Sequence, residues 1–165
     1  MIRMANMNKK LEKQYQSMTA LEHISKKPDT YIGAIEVDDL ETWALNSDNT
    51  KFEHRNVKWV PGLYKCFDEA IVNARDHSIR MQLSKEKKKH LVKNIEVSCI
   101  DGVIEIMNDG NGIDIAMHPK DKLWIPEMIF MHLRTSTNYD DEEKKLVGGK
   151  NGYGIKLVFV FAKWG

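Results

Sequence analysis

From Gly62 to about Arg80, the apolar residues Leu63, Cys66, Phe67, Ala70, Ile71 and Ala74 fall at i, i+3, i+4, i+7, i+8 and i+11. That is the period of an α-helix with one apolar face, and it predicts a helix over this stretch. Pro61 stands just ahead, where a helix start accepts a residue without an N–H. Downstream, Ile95, Val97 and Cys99 alternate with Glu96 and Ser98, Asp101-Gly102 follows, and Val103 to Met107 alternates again. The period of two predicts paired strands, and Asp-Gly supplies the positive φ angles of a two-residue primed turn between them.

The other elements are shorter. Thr19 is placed to cap a helix through His23, and Pro28 and Gly33 bracket an extended segment. Ile125 to Leu133 reads as a helix with Pro126 in its first turn, and Ile155 to Ala162 as a final, mostly buried helix. Between Ile35 and Val60, Trp43, Phe52, Val57 and Val60 lie irregularly among charges and amides, which predicts short strands and a loop. The chain has 165 residues, with 25 Lys and Arg against 24 Asp and Glu, for a formal net charge of +1. That length suits one domain with its own core. The even balance gives no global positive field for collecting phosphate, so any service to DNA is expected to be indirect. Cys66 and Cys99 form no C-x-x-C pair and the six histidines show no zinc spacing, which argues against a disulfide scaffold and a structural zinc site. Met1 to Ser17 reads as a polar arm with no apolar run behind it, so neither a signal peptide nor a membrane span is expected, and an intracellular location is.

Three groups of residues have the types and spacing for chemistry. Glu69, Asn73 and Asp76 fall within roughly a 60° stripe of the long helix, beside its apolar face. A carboxylate there can deprotonate a water, and an amide one turn on can ligate a hard cation through its oxygen. The same spacing also suits a solvated face paired with Lys65 or Arg80. Asn108-Asp109-Gly110-Asn111-Gly112 follows a strand directly, and its glycines let backbone approach a flat ligand while an amide or carboxylate reads a base edge. An ordinary turn is the alternative, although the hairpin already turns at Asp101-Gly102. Gly148 to Lys156 is a glycine-rich run entering a helix, the setting for an anion site, with Lys150 and Lys156 adding charge. It is neither a P-loop, because Ile155 stands where Lys-Ser/Thr should begin, nor a Rossmann fingerprint, because Leu157 replaces the third glycine. A flexible surface loop is the competing reading.

Taken in order, these groups resemble the GHKL ATPase fold of type II topoisomerases, ninety-kilodalton heat-shock chaperones, MutL and histidine kinases. Leu21-Glu22-His23-Ile24, Pro28-Asp29-Thr30-Tyr31-Ile32-Gly33, Val60 to Lys65, Phe67-Asp68-Glu69 with Val72-Asn73-Ala74, and Thr135 to Asp141 with Gly152-Tyr153-Gly154 narrow the match. They resemble the N-terminal ATPase region of eukaryotic-type DNA topoisomerase II, from about Leu21 to Lys156. The resemblance implies an α+β fold, a two-layer sandwich of helices on a mixed, mainly antiparallel sheet, with ATP and Mg²⁺ as cofactors. Glu69 would be the general base that activates water, and Asn73 the magnesium ligand. Asn108 would lie at the adenine edge, with Gly110 and Gly112 in the turn beneath it. Ser136, Thr137 and Asn138 would contact ribose and phosphate, and Gly149, Lys150, Asn151, Gly152, Tyr153, Gly154, Ile155 and Lys156 would wrap the triphosphate.

Asn108 stands where bacterial gyrase and many relatives carry Asp, which implies an amide or water-mediated contact to adenine. Asp76-His77 stands where the family often has Asp-Asn, and the tail from Phe159 departs from the family pattern. The resemblance divides the chain into an arm (1–17) and a GHKL domain (18–165) incomplete at its C-terminus, without transducer, cleavage or C-terminal gate domains. It implies a parent enzyme that is a homodimer through an N-terminal gate, with DNA as substrate, little direct DNA binding by this segment, little turnover by it, and no membrane. A nuclear location, or the host cell or virion for a viral protein, follows. A non-catalytic interaction or dimerisation module, or a degenerate stand-alone homologue, is the alternative.

Overall fold

The computed structural model describes residues 17–84, 90–133 and 152–165. In chain order these form α1 (Ala20–Lys26), α2 (Pro28–Tyr31), β1 (Asp38–Leu45), β2 (Phe52–Trp59), α3 (Pro61–Leu83), β3 (Ile95–Ile100), β4 (Val103–Asn108), α4 (Ile125–Met131) and α5 (Gly154–Phe161). The architecture is α+β, and the strands pair antiparallel, β1 with β2 and β3 with β4. Of the expected arm only Ser17 is described, and the segment from Arg134 to Asn151 lies outside the described residues.

Helix α3 is the spine. Its 23 residues span about 35 Å, and both α5 and β4 pack on it. It begins one residue earlier and ends later than the apolar period alone predicts, with Pro61 inside the first turn. Gly62 lets the preceding chain lie close: its N–H donates to Ala34 O at 2.8 Å, and a Cβ there would stand 3.1 Å from the Ile32 side chain. Against α3 and α5 sits the core, where Ile24, Ile32 and Leu157 are buried and Tyr31, Cys66, Leu133, Tyr153, Val160 and Phe161 border them. Phe130 of α4 joins edge-to-face with Phe159 of α5, their centroids 5.3 Å apart.

Helix α1 runs to Lys26, beyond the expected end at His23, because its start is fixed from both sides. Glu22 N–H donates to the Thr19 hydroxyl at 3.2 Å, and Thr19 N–H donates back to Glu22 Oε2 at 2.8 Å. This capping box satisfies two helix-end donors at once, and the Thr19 N–H holds the Glu22 carboxyl below its ordinary pKa.

The Asp101-Gly102 turn forms as expected, with φ of 51° and 77°. The irregular segment before α3, expected as short strands and a loop, is a single hairpin with Leu45 opposite Phe52 and Trp43 opposite His54. Both of its faces are largely exposed, so no alternation was imposed on the sequence. No helix among the described residues is long and apolar enough to cross a membrane.

Candidate functional site

Glu69 projects from the first half of α3, its side chain 23% exposed. Lys65, one turn earlier, donates to Glu69 Oε1 at 2.6 Å and reaches Asp68 Oδ2 at 3.3 Å. The bond to Glu69 is the main reason the Lys65 ammonium is raised above its ordinary pKa. The helix-surface pairing weighed from spacing therefore forms, with Lys65 as the partner. It occupies one carboxylate oxygen. The other, Oε2, faces α5: a Cβ built on Gly154 would overlap it.

That contact puts the carboxylate at the N-terminus of α5, which the side chain of its cap residue Tyr153 does not cap. First-turn N–H groups without a side-chain cap are an anion-binding surface. Gly152 enters the helix at φ 66°. Lys156 is 3% exposed and its Nζ donates to Gly152 O at 2.6 Å; burial pushes its ammonium pKa down. A cation and a helix N-terminus together set a field that favours an anion. Ile155, between them, is half-buried.

Asn73 lies one turn beyond Glu69 on the exposed side of α3, where its Nδ2 donates to Glu69 O at 2.7 Å. With the amide nitrogen engaged by the helix, the oxygen is the atom left to ligate a hard cation. Asp76 does not share that edge. It is 1% exposed, with Oδ1 3.1 Å from Arg75 Nη1. The expected outward stripe therefore ends at Asn73, because α3 is covered on more than its apolar face.

Asn108 ends β4, and its Oδ1 accepts the Gly110 N–H at 3.2 Å. Asp109 ties this turn to the chain entering β3: Oδ1 accepts Lys93 N–H at 2.7 Å and Asn94 N–H at 3.0 Å, and Oδ2 accepts Asn94 Nδ2 at 2.9 Å. The Asn94 and Lys93 backbone donors hold the Asp109 carboxyl below its ordinary pKa. Asn111 Oδ1 accepts His90 N–H at 3.2 Å. The two glycines differ. A Cβ on Gly110 would lie 2.5 Å from Val92 Cγ2 and 2.9 Å from His77 Nε2, whereas one on Gly112 would meet nothing within 4 Å.

The structure therefore brings Glu69, Asn73, Gly154 and Lys156 to one part of α3 and α5, with the Asn108 turn at the end of β4, which packs on the same α3. Ser136, Thr137, Asn138, Gly149, Lys150 and Asn151 lie outside the described residues. Sequence reasoning offered the Asp109 carboxylate only as a reader of a base edge, whereas in the structure it staples the turn. Its only signal was a carboxylate placed between an amide and a glycine.

No family model matches the chain. The DNA topoisomerase 2 of Meyerozyma guilliermondii is 46% identical over 149 residues, covering 90% of this chain and 10% of that protein. That of Saccharomyces cerevisiae is 47% identical over 148 residues, with the same shares. The solved ATPase region of Saccharomyces cerevisiae topoisomerase II superposes with a TM-score of 0.78 at 46% identity, covering 88% of this chain and 37% of that one. The chain thus spans about a tenth of the length of the curated relatives it matches. In sequence and in its α+β fold, the chain matches the ATPase region of type II DNA topoisomerases.

Proposed function

We propose that this chain binds ATP with Mg²⁺ as part of the ATPase domain of a type II DNA topoisomerase, residues 18–165 contributing to that domain. The observation that carries the reading is the contact between Glu69 and Gly154, which sets a carboxylate oxygen against an anion-binding helix start. A γ-phosphate held by the first turn of α5 would lie beside Glu69 Oε2, which takes the proton of an attacking water while Lys65 holds Oε1. Asn108 would meet adenine through its amide, with Gly110 and Gly112 beneath. Magnesium, when bound, would be ligated by Asn73 Oδ1 and would offset charge on the phosphates. In the whole enzyme, ATP would close a dimer gate and drive one DNA segment through another.

Calorimetry of the chain with ATP and Mg²⁺ tests this. Binding should be magnesium-dependent, lost in Asn73→Ala and retained in Glu69→Ala. An absence of heat at millimolar nucleotide would refute it.

A second reading, an interaction module, draws support from the hairpin β1–β2. Trp43, Leu45 and Phe52 share one face near its tip and are 66%, 41% and 65% exposed. Dimerisation in sedimentation that is indifferent to nucleotide and weakened by Trp43→Ser would favour it.

A further inference from the structure

Helix α3 carries another polar residue past Asn73. His77 lies four residues beyond Asn73 and eight beyond Glu69, so the three backbone positions step along the helix about 6 Å at a time. The His77 ring edge closes directly on the turn that follows β4. A Cβ on Gly110 would stand 2.9 Å from His77 Nε2 and 3.0 Å from Cδ2. Nε2 is shut off from solvent and has no hydrogen-bond partner among the described residues. Buried polar atoms are nearly always paired, and exceptions cluster where a local rule gives way to function. What the ring supplies at this point is its shape and its place on α3.

We infer that His77 is a positioning residue for the base end of the nucleotide site. This rests on the function proposed above. The ring and Val92 together form the seat for Gly110. Gly110 N–H in turn holds Asn108 Oδ1 at 3.2 Å. Asn108 is thereby set at a fixed distance from Asn73 and Glu69 through a single helix, and His77 acts on the base without touching it. Removing the ring frees the turn to shift, so the base end loses definition while the phosphate end on α5 keeps its geometry.

Titration of the full chain with Mg-ATP and with Mg-GTP, in parallel, tests the assignment. His77→Ala should weaken ATP about tenfold, a loss of one well-held polar contact, and leave GTP nearly unchanged, so that the ATP-to-GTP preference collapses. Gly110→Ala should lose less affinity in the His77→Ala background than alone, because the missing ring relieves the contact on its side and leaves only that with Val92. An equal loss for both nucleotides, an unaltered preference, or strict additivity of the two substitutions would overturn the inference. A parent chain that binds neither nucleotide refutes the nucleotide site instead. In that event, NMR of the nucleotide-free chain decides on His77: the Asn108 side-chain NH₂ signals should shift in His77→Ala, and unchanged signals would overturn the seating.

Discussion

The Glu69 carboxylate occupies the space in which a side chain on Gly154 would begin. A side chain on Gly154 therefore requires the Glu69 carboxylate to leave its place against α5. Gly154→Ala should destabilise the chain by about 1–3 kcal/mol, the usual cost of forcing an extra carbon into a packed site. Thermal unfolding gives that number. The cost should shrink in a Glu69→Ala background, and equal melting shifts in both backgrounds would contradict the contact.

Gly110 and Gly112 should respond differently to the same substitution. Gly110→Ala meets Val92 and His77, and should cost about 1–3 kcal/mol. Gly112→Ala enters open space and should stay within about 0.5 kcal/mol of the parent chain. Chemical denaturation of the two variants side by side settles the matter; similar losses would mean that the turn is held differently.

Asp109 should make the turn acid-sensitive. Its carboxyl is held below the ordinary value of 3.8 by the Asn94 and Lys93 backbone donors. A depressed carboxylate contributes stability that is fully present above 3.8 and is lost as pH falls through the folded-state value. The Asp109 carboxyl carbon, followed by NMR, should titrate below 3.8, and Asp109→Asn should flatten the fall in melting temperature in that acid range. A signal that titrates at the ordinary value would remove the basis for the prediction.

The α1 start and the core beneath it should separate cleanly. Thr19→Ala removes the hydroxyl half of the capping box and should cost about 1 kcal/mol. Ile24→Ala empties a fully buried position between α1 and α5 and should cost about 2–5 kcal/mol. Urea unfolding of both variants checks the order as well as the sizes.

Much of this was legible in the residues. The period of α3 and the Asp101-Gly102 turn are local, and each writes its geometry directly into the sequence. The placing of Glu69 and Asn73 one turn apart on α3 was legible in the helix spacing. Asp76 was misplaced because the burial of a polar side chain is decided by what packs over it, which apolar periodicity does not report. Hairpin β1–β2 was legible only as short strands and a loop, without bounds or register: with water on both faces, its strands carry no alternation. His77 was visible as a departure from the resembled pattern, but its bearing on Gly110 depends on two segments 33 positions apart, a relation that no local pattern encodes.

Helix α3 also makes the site unusually sensitive to chain length. One residue inserted between Asn73 and His77 would turn His77 by about 100° and slide it about 1.5 Å along the axis, carrying its ring off Gly110. Composition would hardly change, and so would the stability of the helix itself. The stretch from Glu69 to His77 thus has a fixed phase: an exposed position between these three residues tolerates a change of identity, and the stretch does not tolerate a change in the number of its positions.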